Sequence, residues 1–295
     1  MVDGMLVTIG AGQEQISLVQ NAHNHLASQA YDSAVTRMSE HAYMPMLQTA
    51  EWVARRYEIS RCAQDAYALQ SQQRTAAAQA AGLFADKVVP VTTRKRVVDK
   101  ASGAVSYEEV TLTQDEGNRP ATVIADLQRL QPVIDGGSVT AGNASQLSDG
   151  ASACVLVEDS LAARLASAPL GLDRGIAFAG LAPEEMGLGP LLAVPKLLRQ
   201  QGLSVDDIGL WEINKAFACQ VLYCAKRLGI DPARLNVNGG AIAIGHPYGM
   251  SGGAHGRPRL AGRQKARGQI RRGLNVCGRR DGRRGVVRSH SIECR

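Results

Sequence analysis

Apolar residues recur at helical spacing over 46–56 (MLQTAEWVARR) and again over 60–81. The second run opens on Ser60, suited to cap a helix, carries Gln64 near the capping-box position, and meets Gly82 where it should stop. Further helices are predicted over 123–129 (ahead of Pro132), 159–166, 191–202 and 218–229. Short apolar runs predict strands at 6–9, 88–91, 152–157, 176–179 and 208–213. The polar stretch 92–110 reads as a hairpin region. Strands that alternate with helices imply an α/β sheet covered by helices. An Ala/Pro/Gly-rich link at 168–174 marks a boundary between two parts.

One segment breaks this regular alternation. Over 236–252 the chain reads NVNGGAIAIGHPYGMSG, with one histidine, His246, among five glycines. Glycine permits positive φ and close backbone approach, so such a loop brings main-chain N–H groups and an imidazole to one place. Three further segments stand out: GAGQEQIS at 10–17, TAGNASQLSDGASA at 140–153 and WEINKAFA at 211–218. Together, and in this order, the four motifs closely resemble the signatures of the thiolase family. The resemblance covers roughly residues 1–252. It implies a thiolase-like α/β fold, mixed sheets covered by helices, incomplete at both ends. Residues 1–167 would be the remnant of the N-terminal domain with its loop domain, and 172–252 part of the C-terminal domain.

The resemblance also implies roles. The family transfers an acyl group between a cysteine and coenzyme A, cleaving or forming 3-ketoacyl-CoA. His246 would be the base that activates a thiol, since an unperturbed imidazole titrates near neutrality. Asn214, at the end of a predicted strand, would hold a water or donate into an oxyanion hole; helix capping is its other reading. Ser145 and Ala144 match a CoA contact, although a hydroxyl in such a turn also suits a structural ST-turn. Met46 matches a residue lining the acyl pocket, and methionine at helix spacing also suits a core. Ala216 and Phe217 would pack on the pantetheine arm, and Arg119 would meet the adenine or a phosphate. Lys215 departs from the pattern: the family has Glu there, so a charge is reversed beside the site. CoA and acyl-CoA enter as substrates, with no permanently bound cofactor and no metal expected, and a dimer or tetramer is implied for the intact parent.

Composition changes this picture at the end of the chain. Residues 253–295 hold twelve Arg and one Lys against Asp281 and Glu293, a net of +11, so 1–252 carry −5 within a total of +6. The tail shows neither helical nor strand periodicity and is expected to form neither. Read one base later with degenerate codons, from His255 onward, it can encode a thiolase-like C-terminus with the family's C-x-G-x-G motif. An out-of-frame basic tail is therefore expected, and Cys277 is then not the family cysteine. The chain also opens past the point where the nucleophilic cysteine should stand, so Met1 is expected to be an internal methionine.

Lacking both cysteines in frame, the chain is expected to be inactive; the alternative is a CoA-binding or interaction fragment. An Arg-rich tail suits nucleic acid, but it has no aromatic residue on which a base would stack, so no nucleic-acid partner is expected. The six cysteines have no zinc spacing. No apolar run is long enough for a membrane span, and no leader-like segment opens the chain. These features predict a cytoplasmic protein with reduced thiols and no membrane partner.

Overall fold

The computed structural model describes residues 5–9, 33–165, 171–247, 249–251, 272–281 and 284–293. The GAGQEQIS motif lies outside them. Strand β1 (Met5–Ile9) pairs antiparallel with β4 (Ala153–Val157), Val7 opposite Val155. Strands β2 (Val91–Val98) and β3 (Val105–Leu112) form a separate two-stranded hairpin. The third sheet has the order β5 (Leu172–Leu181), β8 (Arg284–Glu293), β7 (Arg272–Asp281), β6 (Ile208–Ile213). Within it β7 runs parallel to β6 and antiparallel to β8.

Helix α1 (Ser33–Met38) is followed by α2 (Met46–Arg56) and α3 (Arg61–Ala80). The side chain of Ser60 caps α3 by accepting from the Ala63 N–H at 3.2 Å. Gln64 does not close a capping box. Its amide donates instead to Ile59 O and Ser138 Oγ, at 3.1 and 3.0 Å, because the side chain is fully buried against those groups. Gly82 follows the helix at φ +66° and donates to Gln79 O, as its freedom at positive φ allows. Helix α4 spans Ile124–Arg129 and α5 only Asp159–Ala162, shorter than 159–166.

The core of the second part is built on β6. Strands of this sheet are covered by α6 (Pro190–Gln200) and α7 (Ala218–Leu228). Leu197, Trp211, Ile213 and Val221, each at most 1% exposed, meet in one cluster with Val53 of α2. Helix α2 thus packs across both parts. Tyr57 beyond its end stacks on Tyr223 of α7 at 4.0 Å and donates to Glu185 Oε1 at 2.6 Å.

Three expectations are corrected here. No strand forms over 88–91: a 3-10 turn covers Ala85–Lys87 and the strand begins at Val91. The strand placed at 176–179 runs over Leu172–Leu181, starting inside the stretch read as a link. The tail, expected to make no regular structure, supplies β7 and β8. Sheet pairing is made by backbone groups that every non-proline residue carries, so an irregular side-chain pattern does not forbid it. Val276, Val286, Val287 and Ile292 add β-branched residues along these two strands.

Candidate functional site

Three of the motif segments converge through backbone and amide hydrogen bonds. The 140–153 segment meets the 211–218 segment at an isolated antiparallel bridge between Ala144 and Phe217. Ser145 N donates to Ala216 O at 2.8 Å, and Ala218 N to Asn143 O at 3.0 Å. Asn143 is itself buried, its Nδ2 donating to Asp65 Oδ1 on α3 and to Ser138 O. The glycine loop joins through Gln146, whose Nε2 donates to Ala243 O at 2.6 Å and to Gly117 O at 2.9 Å. Ala243 lies in the short helix α8 (Ala241–Ile244), directly before His246. Gly245 packs so tightly on the 140–153 segment that an added Cβ would stand 2.1 Å from Ser148 Oγ.

His246 is mostly buried, and this desolvation brings its pKa down to about 4. The imidazole is therefore neutral near pH 7, the form that accepts a proton. Its Nδ1 lies 2.5 Å from Ser251 Oγ. Asn214, at the end of β6, is 5% exposed, and its Oδ1 has no hydrogen-bond partner among the described residues. A buried amide oxygen left without a partner is uncommon and marks a place where water or ligand completes the shell.

Lys215 does not sit beside these groups as a free charge. Its side chain turns inward, fully buried, with Nζ donating to Gly239 O at 2.6 Å and Glu212 Oε2 standing 3.9 Å away as an ion-pair partner. Burial lowers its pKa to about 8, against the attraction of Glu212.

The remaining predicted residues divide. Ala144, Ser145, Ala216 and Phe217 are brought together at the bridge. The Ser145 hydroxyl donates to Gln146 O at 3.2 Å within its own turn. Met46 is exposed at the start of α2; the next residue, Leu47, packs in the cluster that includes Ala144 and Phe217. Arg119 is exposed, with its backbone N–H held by Gln72 Oε1 at 2.9 Å. Among the described residues, Cys62 and Cys154 are exposed, whereas Cys219 and Cys224 are buried. The Cys219 thiol donates to Ala50 O at 3.5 Å, and burial pushes its pKa up to about 12. Sequence reasoning missed Gln146 and Ser251. Both lie inside the quoted motifs, and their place as polar side chains within those motifs was the available signal.

The match to known proteins agrees with this geometry. The thiolase N-terminal domain profile matches residues 1–160, and the thiolase C-terminal domain profile matches 168–273. The chain belongs to the thiolase family. The peroxisomal 3-ketoacyl-CoA thiolase B of Mus musculus is 43% identical over 248 residues, 83% of this chain and 57% of that protein. The chain thus spans little more than half the length of this curated relative. The dimeric peroxisomal thiolase of Saccharomyces cerevisiae superposes with a TM-score of 0.81 at 33% identity, covering 99% of this chain and 69% of that one. Human mitochondrial 3-ketoacyl-CoA thiolase in complex with CoA gives 0.75 at 36%, over 87% and 60%.

These relatives overturn the expectation of a cytoplasmic protein: the mouse and yeast proteins are peroxisomal and point to that compartment instead. The expectation rested on reduced thiols and on the lack of a membrane span and a leader-like segment. A peroxisomal address is a short receptor-read signal that leaves no apolar trace, so those criteria had no bearing on it.

Proposed function

We propose that this chain carries the CoA-thioester side of a thiolase-type acyl-transfer site. His246 is the proton acceptor, and Asn214 holds the water or oxyanion of the thioester. Ser145, Ala144, Ala216 and Phe217 line the path of the pantetheine arm, with Arg119 toward the nucleotide and Met46 toward the acyl group. The reaction class is exchange of an acyl group between a cysteine thiolate and CoA, linking a 3-ketoacyl-CoA and CoA with two acyl-CoAs. The observation that carries this reading is the hydrogen-bonded convergence of 140–153, 211–218 and the His246 loop. A homo-oligomer goes with it, as for the dimeric yeast relative.

The chain as written binds CoA thioesters without turning them over. Covalent catalysis needs a thiolate, and the two buried cysteines whose bonds are described, Cys219 and Cys224, donate to backbone carbonyls with pKa values pushed upward. Loss of the nucleophile leaves only residual rate. Calorimetric titration with CoA and acetyl-CoA should show saturable binding, and a thiolysis assay with acetoacetyl-CoA should show no turnover above background. Absence of binding overturns the site assignment, whereas normal turnover overturns only the inactivity.

A further inference from the structure

The hydroxyl of Ser251 stands between two polar atoms. Its Oγ lies 2.5 Å from His246 Nδ1 and 3.2 Å from Pro247 O, four residues back along its own turn. Ser251 is 1% exposed, so bulk solvent does not reach the hydroxyl. A hydroxyl has a single proton to donate, while its oxygen accepts freely. If that proton goes to Pro247 O, the Nδ1 contact is also a hydrogen bond, provided Nδ1 bears the hydrogen. If the proton goes instead to Nδ1, the contact with Pro247 O ceases to be a bond. Only the first arrangement makes both bonds, and a buried polar contact left unmade is destabilising.

The turn that carries Ser251 is held in place from the 140–153 segment. Ser152 Oγ donates to Met250 O at 2.9 Å, and Ser152 N to Gly249 O at 3.1 Å. Pro247 packs on Gly150, where an added Cβ would stand 2.9 Å from its ring. The geometry between Ser251 and the imidazole is therefore set by the fold rather than by a loose side chain.

We propose that Ser251 is a positioning residue that fixes His246 in the tautomer with hydrogen on Nδ1, leaving Nε2 as the nitrogen that accepts a proton. This rests on the reading of His246 as the base of an acyl-transfer site. A base acts through one nitrogen with the right lone pair, and a partner on the other nitrogen decides which one that is. The role is distinct from that of His246 itself, since Ser251 acts only through the ring.

The test is nitrogen NMR on the full chain with 15N-labelled histidine, the His246 signals being assigned by their loss in His246→Gln. The expected spectrum of the unliganded protein near pH 7 has Nδ1 as a protonated, pyrrole-type nitrogen and Nε2 as a bare, pyridine-type one. Ser251→Thr, which keeps the hydroxyl, should retain the pattern. Ser251→Ala should draw the two shifts toward each other as the tautomers mix. A proton on Nε2 in the unsubstituted chain overturns the proposal without any variant having to fold, and so does a Ser251→Ala spectrum identical to that of the parent. No CoA is present in this experiment, so failure of CoA binding and failure of the tautomer assignment are read separately.

Discussion

Strands β4 and β6 are both short and apolar, ACVLV and IGLWEI, yet they live in opposite surroundings. Along β6, Ile208, Trp211 and Ile213 are at most 1% exposed beneath helices α6 and α7. Along β4, Val155 is 59% and Leu156 42% exposed, and among the described residues the strand's one partner is β1. Apolar composition selects a strand in both cases. Only the presence of covering helices with matching apolar faces turns a strand into a core, because stabilisation comes from area removed from water rather than from the residue type.

The comparison can be broken most directly at Trp211. Trp211→Ala should cost about 3–5 kcal/mol of unfolding free energy, read by urea denaturation, since it empties a close-packed site between α6 and α7. A loss under 1 kcal/mol would mean that the β6 cluster is no more of a core than β4.

Acid should sharpen the contrast by weakening the covered side. His246 titrates near 4 in the folded chain against 6.5 for an ordinary histidine, through burial. Between those values the unfolded chain binds a proton that the folded chain refuses. Its contribution is therefore complete above pH 6.5 and is lost as pH falls toward 4, by about 3 kcal/mol in all. His246→Gln should flatten that part of the stability–pH curve, and an unchanged slope would place the histidine in water.

At the small end, Val155→Ser on β4 should shift stability by no more than about 0.5 kcal/mol, as for exposed positions generally. A larger loss would show that β4 is covered in solution.

Much of this was legible in the sequence, for identifiable reasons. Helix α2 and strand β6 fall on the residues expected, because α2 carries apolar positions at helical spacing and β6 is a short apolar run that stops at Asn214. Ala144, Ser145, Ala216 and Phe217 were grouped by the resemblance of their segments to family motifs, not by periodicity or burial. The fate of Lys215 was not legible: a charge next to Asn214 in sequence is turned away from it by a bond to Gly239, 24 residues on. Nor were β7 and β8. Their residues lack strand periodicity, and their pairing is a matter of backbone groups meeting across the sheet, which side-chain patterns do not report. Ser251 was passed over because its partner, five residues before it, is reached only once the turn has closed.

The buried lysine has a consequence for how this sequence can vary. Gly240 sits at φ +148°, and a methyl group placed on it would stand 1.8 Å from Lys215 Nζ. Positions 215 and 240 are thus tied as a pair. A change to alanine at 240 is strained by the backbone angle alone and meets the cation besides, and the long cation at 215, as it is placed here, fits only opposite a residue with no side chain. Glycine at 240 is thus required on two grounds, its own backbone angle and the cation 25 positions before it.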